Sequence, residues 1–421
     1  MKLNHTRPSA NAMIVLLYAA IAMFFFIFNP QALKFDYGDG NGRFADRVDS
    51  YSEYIVRNTV KRNILVKEDN SFFPIITKGY AESDYKFYAD KYKKYTSNLS
   101  LQTGPVTLIA KLLNFNTEKK LDMLFGLLRL VNALVFSCLL CTFLFYFCKF
   151  QQLKHHFLVP FLVGGSAGFM FFSQNLYFVS ALMLMPAALI AYQMCNKGCF
   201  SKVIVFVLGL VFFLRGYEFA TIFALLTGFS AALFATGDWY KRAKVFALAF
   251  SLICAAFIVA ILCHIILISA DSGWTLSVSD AAKQAFYNVQ LRTSSINGVP
   301  VPLGPAFLHA MNERWSTTAF SIIQSGLKLT ELDVLLLMAL ILVVRLKTML
   351  PTEKMIVAYG GLGYLSWYVF AYQHIMWHQM YEWYIFSLTM GLAFSLLIII
   401  YLNAFIEFVL KSYRGKVAKI D

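Results

Sequence analysis

The sequence predicts an all-α polytopic membrane protein with about ten transmembrane helices and two larger outer loops that contain short helices. Two observations carry this. The chain of 421 residues is 59% hydrophobic and 17% aromatic with only 14% charged residues, too apolar for a soluble domain of that size. Its Leu, Phe, Ile and Val residues fall in long unbroken runs, and in hydrocarbon only helices or closed barrels satisfy every backbone polar group. Runs of that length select helices.

In chain order the apolar runs are 13–29, 122–148, 157–174, 176–195, 202–214, 217–236, 244–269, 332–346, 355–373 and 384–410. Basic residues then orient them. Lys2 and Arg7 precede the first run, Lys149, Lys154, Lys197, Lys202, Lys241, Arg242, Lys244, Arg345, Lys347 and Lys354 occupy every second connection, and Lys411, Arg414, Lys416 and Lys419 follow the last. Cytoplasmic loops carry the excess of Lys and Arg, so both termini are expected in the cytoplasm. The net charge of +14 is thereby explained by membrane orientation and not by nucleic acid. The first run is read as a retained anchor, because Phe24-Phe25-Phe26-Ile27-Phe28-Asn29-Pro30 lacks a signal-peptide cleavage pattern.

The expected organisation is a cytoplasmic N-terminus and first helix at 1–29, a first outer loop at 30–121, helices two to seven at 122–270, a second outer loop at 271–331, helices eight to ten at 332–410 and a basic tail at 411–421. Within the first loop, Tyr51, Tyr54, Ile55 and Asn58 recur at helical spacing over 47–65, with Asp46 or Ser50 available as a cap. The run 104–115 is apolar but too short to span, which suits a helix lying in the interface plane. A further short helix is expected at about 279–290. The seven Cys residues all lie in apolar runs or on the cytoplasmic side, so no disulfide framework is expected, and Cys195 and Cys199 read as apolar filler.

Lys34 to Pro105 holds ten of the 23 acidic residues. Asp36, Asp39, Asp46 and Asp49 follow closely on the first apolar run, and the glycines of Tyr37-Gly-Asp-Gly-Asn-Gly42 make a turning loop that can bring a carboxylate close to a ligand. A solvated Gly/Asp turn is the plainer reading. Asp36-Tyr-Gly-Asp39, Tyr95-Thr-Ser-Asn-Leu-Ser-Leu-Gln102, Asn175-Leu-Tyr177, Arg215-Gly-Tyr-Glu218 and Ser366-Trp367 ahead of His374 and His378 stand out as polar islands.

With the topology, these islands resemble the GT-C glycosyltransferases, and within them the bacterial surface-polysaccharide enzymes that include serotype-converting O-antigen glucosyltransferases. The resemblance covers most of the chain as topology and only the short islands as sequence. It implies a multi-pass enzyme of the bacterial inner membrane, with a polyprenyl-phosphate sugar donor, a glycan acceptor and an acidic base in the first outer loop. The family's acidic pair is often adjacent or one apart; here two residues separate Asp36 from Asp39, which leaves the base open between them, with Asp46 third.

A base must reach the acceptor hydroxyl within hydrogen-bond distance, and the glycine neighbours give Asp39 the closest access. The leaving lipid phosphate needs positive charge at the membrane surface, for which Arg serves by its planar fork. Arg215 is the first candidate, then Arg292, Lys283 and Arg314; an ion pair with Glu218 or snorkelling is the equal alternative for Arg215. His374 and His378 share a helical face and stand among Tyr372, Trp377, Tyr381, Trp383 and Tyr384. They suit an aromatic interface belt, a substrate contact or a divalent metal ion, which two His alone do not define. Tyr95 and Gln102 offer hydroxyl and amide groups to a polar substrate or to a loop anchor.

No Gly-x-x-x-x-Gly-Lys loop, Gly-x-Ser-x-Gly elbow or His-Glu-x-x-His pair occurs, so ATP-driven pumps, membrane hydrolases of that type and zincins lack their usual parts. A polysaccharide flippase, or a polymerase or ligase of lipid-linked oligosaccharides, is the competing function. A transporter should place polar residues and broken helices near the membrane centre, where this sequence has mostly plain apolar runs, His264 and Asn132 excepted.

Overall fold

The computed structural model describes residues 8–28, 50–66, 73–77, 92–97, 99–293, 295–296, 299–300, 317–321, 328–371 and 381–417. The described residues are mostly helical. Three helices are long and apolar enough to cross a membrane: α4 (Glu118–Phe150), α10 (Trp239–Asp271) and the stretch Trp383–Tyr413. Shorter helices fill the bundle between them: α1 (Pro8–Phe28), α7 (Ala181–Lys197), α8 (Lys202–Arg215), α9 (Ala220–Leu233), α12 (Glu331–Arg345) and α13 (Pro351–Phe370).

Local chemistry sets their ends. Thr117 accepts from Lys120 N–H at the start of α4, Ser201 from Ile204 N–H at α8 and Asp238 from Lys241 N–H at α10, each satisfying one of the donors a helix start leaves orphaned. Thr330 and Asp333 cap each other's backbone in a reciprocal box at α12. Gly198 closes α7 in the left-handed conformation that glycine adopts without steric cost.

The helices pack around one aromatic-rich core in which Phe136, Phe172, Phe178, Phe212, Phe219, Phe223, Tyr381 and Tyr384 are buried. The opposite faces are apolar too. Met123, Leu127, Leu130 and Leu134 on α4, and Ile258, Leu262 and Ile266 on α10, recur at helical spacing and stand exposed, which is the pattern of a surface meant for lipid.

The predicted span 157–174 is broken. It divides into α5 (Val159–Gly164) and α6 (Ala167–Phe172), with Gly165 and Ser166 between them. A hairpin of β5 (Thr318–Ser321) and β6 (Lys328–Thr330) from the second polar stretch enters the gap. Ser321 N–H donates to the Gly165 carbonyl at 2.8 Å, Ser166 forms a bridge with Phe320, and Ser166 Oγ donates to Ser387 Oγ at 3.0 Å. Buried non-helical backbone needs partners for its polar groups, and the hairpin supplies them here. The last span is irregular at the same level: α14 (Tyr381–Phe386) passes through a π turn (Ser387–Gly391) into α15 (Leu392–Val417). A Cβ on Gly168 would overlap the Trp383 carbonyl, so glycine is required for this close crossing.

The helix expected over 47–65 is observed as α2 (Ser50–Lys61) followed by a π turn (Arg62–Val66). The expected interfacial run forms α3 (Thr103–Leu112), with Leu108 and Leu112 exposed, and the helix expected at 279–290 is α11 (Val278–Thr293). The first polar stretch also contains a two-stranded sheet of β1 (Ile75–Thr77) and β2 (Tyr92–Lys94), and the pair β3 (Ser295–Ile296) and β4 (Val299–Pro300) follows α11. Ion pairs fasten α2 to α4: Arg57 and Lys61 both reach Asp122, at 3.1 and 2.9 Å, and Arg129 holds Glu53.

Candidate functional site

At the end of the bundle where the chain turns from α6 to α7 and from α8 to α9, buried polar side chains from four segments meet. The turn at Asn175 organises them. Its Oδ1 accepts from the backbone N–H groups of Tyr177 and Phe178, at 2.8 and 2.9 Å, which fixes an Asx turn. The carbonyls of the turn are then taken by its neighbours: Asn132 Nδ2 donates to Asn175 O at 3.1 Å and Gln102 Nε2 donates to Tyr177 O at 2.8 Å.

Arg215 ends α8 beside the same turn. Its guanidinium is 1% exposed, with the Phe212 ring 4.8 Å and the Phe178 ring 5.7 Å from the guanidinium carbon. Nη1 lies 3.5 Å from Tyr177 O and 3.7 Å from Glu218 Oε2, at the limit of a hydrogen bond in the first case and beyond it in the second. Glu218 is also buried, and Tyr177 donates its hydroxyl to Oε1 at 3.0 Å. The remaining donors of Arg215, Nε and Nη2, have no hydrogen-bond partner among the described residues. A buried cation with open donors is costly unless a ligand completes it. Nε and Nη2 form one edge of the planar group, the edge that grips a carboxylate or phosphate with two parallel hydrogen bonds.

Backbone strain gathers at the same place. Ser100, Val179 and Phe219 have φ of 45°, 44° and 64°, the left-handed region that non-glycine residues enter at a cost. Each adjoins one wall of the cluster: Ser100 precedes Gln102, Val179 follows Tyr177, and Phe219 follows Glu218. Strain of this kind persists where surrounding structure enforces it, and it concentrates at functional sites. Phe219 in turn stacks near Trp367 at 5.2 Å, and Ser366 Oγ donates to Thr221 Oγ1 at 3.3 Å. A second network braces Tyr217. Its hydroxyl meets His264 Nδ1 at 2.8 Å while His264 Nε2 faces the Thr96 carbonyl at 3.0 Å, so Nε2 carries the proton and Nδ1 accepts.

Of the residues singled out from sequence, the structure brings together Gln102, Arg215 and Glu218, with Asn175 and Tyr177 from the neighbouring island. Arg215 is enclosed, because Phe178 and Phe212 hold its plane and the α6–α7 turn covers it, and it forms a long ion pair with Glu218, as the alternative reading of this residue expected. Tyr95 is half-buried against the main core beside β2. Lys283 is exposed and bonded to Asp280 at 2.9 Å, away from this cluster; that bond, with one from Ser277, holds the Asp280 carboxyl below its ordinary range. The backbone of Arg292 lies in α11, but its side chain lies outside the described residues, as do Asp36, Asp39, Asp46, Arg314, His374 and His378. Cys195 is buried and Cys199 exposed, and no group of three or more metal-ligating side chains occurs among the described residues.

Sequence reasoning named Asn132 as a polar exception in an apolar run but did not place it at a site. Its signal was position: it follows Arg129 by three residues on α4 and so shares a face with the residue that holds α2. Comparison with protein-family models, curated proteins and solved structures gives no match.

Proposed function

We propose that the chain is a membrane glycosyltransferase of GT-C type, moving a sugar from a polyprenyl-phosphate-linked donor to a surface glycan on the external face of a bacterial inner membrane. The observation that carries this reading is the open Nε/Nη2 edge of buried Arg215. Two charge-assisted hydrogen bonds to a phosphate, each contributing about 1.5–3 kcal/mol, would satisfy it. The three long apolar helices supply the membrane in which a lipid-linked donor resides. The full proposal has ten crossings, with both termini cytoplasmic and the Arg215 cluster at the external side.

The phosphate leaves as the acceptor hydroxyl attacks the anomeric carbon from the opposite face. The C–O bond to the phosphate breaks with its electron pair going to that oxygen, the new glycosidic bond forms, and a carboxylate takes the hydroxyl proton. Asp39 is assigned that proton for the access its glycine neighbours give, with Asp36 and then Asp46 as alternatives. A flippase would be favoured by the break at Gly165 and Ser166, but the chain's own hairpin fills that break, which weighs for the transferase.

Replacement of single loop carboxylates tests the chemistry. Asp39→Asn or Asp36→Asn should leave insertion intact and at least one should abolish transfer from a polyprenyl-phosphate sugar; full activity in both, and in Asp46→Asn, would sink the acidic-base mechanism. Reporters fused near Lys94 and Lys154 should read external and cytoplasmic respectively, and the reverse result would discard the orientation.

A further inference from the structure

The cluster contains open acceptors as well as open donors. Gln102 Oε1 and Asn132 Oδ1 are both buried atoms without a hydrogen-bond partner among the described residues. Their orientation is chemically determined: each amide nitrogen donates to a backbone carbonyl, which accepts only, so each amide must present its oxygen on the other side. The two amides come from different elements, the residue before α3 and the middle of α4, yet they hold carbonyls only two residues apart in the Asn175–Tyr177 turn. The Tyr177 carbonyl is shared between Gln102 Nε2 and Arg215 Nη1, which places the open amide and the open guanidinium on one turn.

We infer that Gln102 Oε1 and Asn132 Oδ1 receive hydroxyl hydrogens of a sugar whose phosphate is held by Arg215, so that the site selects a glycosyl phosphate over a bare lipid phosphate. This rests on the proposed phosphate site and adds the two side chains that distinguish the sugar from the bare lipid. An amide oxygen repels phosphate oxygens and needs a donor, and buried acceptors left without one carry a desolvation cost. A pyranose offers several O–H donors next to its anomeric phosphate. A polyprenyl phosphate offers none beyond the phosphate itself. Discrimination built on a hydroxyl is strong, because the analogue that lacks it leaves the protein's polar groups unpaired. Phosphatidylethanolamine is a membrane lipid that also joins a phosphate to donors, through its ammonium group, and the two sources are separated by competition.

The test uses the full chain in nanodiscs, with polyprenyl-phosphate glucose and bare polyprenyl phosphate as probes. The wild type should bind the glucosylated lipid at least about 10-fold more tightly, and phosphatidylethanolamine should not compete. Gln102→Met and Asn132→Leu should each weaken the glucosylated lipid by about 3- to 10-fold and leave the bare lipid unchanged. Equal wild-type affinity for the two lipids, equal losses of both in the variants, or displacement by phosphatidylethanolamine would overturn the inference. Because the two amides lie on separate elements, Gln102→Met gives the reading alone if Asn132→Leu does not fold. Arg215→Met separates this from the phosphate assignment. If it binds both lipids as the wild type does while Gln102→Met loses only the glucosylated one, the phosphate assignment fails and the hydroxyl assignment stands.

Discussion

Arg129 and Arg215 use the same edge of the same functional group in opposite ways. Arg129 presents Nε and Nη2 to a single carboxylate oxygen, Glu53 Oε1, at 2.8 and 2.5 Å, and so fastens α2 to α4. Arg215 presents the same two nitrogens to no partner among the described residues, although it is the more deeply buried of the two. Arg129 closes its fork on a carboxylate of its own chain, whereas a fork left open at such burial is costly and is available to a ligand. Glu218 could have closed it, but its oxygen stands 3.7 Å from the other nitrogen, and the Tyr177 hydroxyl holds the carboxylate. The difference between the two arginines is the structural argument for a phosphate site.

The comparison breaks most sharply at the forks themselves. Arg215→Met should reduce transfer per folded molecule by about 100-fold or more, a loss beyond the stability it gives up in its contacts with Tyr177 O and buried Glu218. Steady-state transfer and a melting curve on the same preparation check both halves. In Arg129→Met the loss should instead be one of stability, about 2–4 kcal/mol, because buried Glu53 loses the two bonds of the Arg129 fork, with transfer falling only as far as the folded fraction does. Denaturation in lipid nanodiscs reads that loss. If the two variants show the same profile, the distinction between a fastening and a binding arginine is wrong.

A smaller effect sharpens the role of strain. Val179 is half-buried with φ of 44°, a position that glycine takes without steric cost. Val179→Gly should relieve about 1 kcal/mol of backbone strain, partly offset by the freer unfolded chain, and should lower transfer by loosening the turn that carries the Tyr177 carbonyl. An unchanged rate together with a higher melting temperature would show that the strain is not used.

The helical architecture was legible because hydropathy and charge act over long windows. The apolar runs mark where helices form, and Thr117, Ser201 and Asp238 mark where three of them begin. The break at Gly165 was written in the sequence as Gly164-Gly165-Ser166, a breaker signal inside an apolar run, but the partner that makes it tolerable is Ser321, more than a hundred residues away. The π turn at Ser387–Gly391 had no local signature at all, since it answers to the close crossing at Gly168. The site was legible as islands and illegible as a site. Gln102, Asn175, Tyr177, Arg215 and Glu218 each stood out for polarity at the edge of an apolar run, yet nothing in their spacing says that two amides and a guanidinium share one turn. Asn132 looked like a packing residue because its meaning lies in the carbonyl it meets.

The most direct measurement is the affinity of bare polyprenyl phosphate for the wild type, Arg215→Met and Arg129→Met, each confirmed folded in the same nanodiscs. The open fork predicts that Arg215→Met loses about 100-fold or more in affinity while Arg129→Met keeps the wild-type value. Wild-type affinity in Arg215→Met, or an equal loss in both variants, would contradict the assignment of Arg215 to the lipid-linked phosphate.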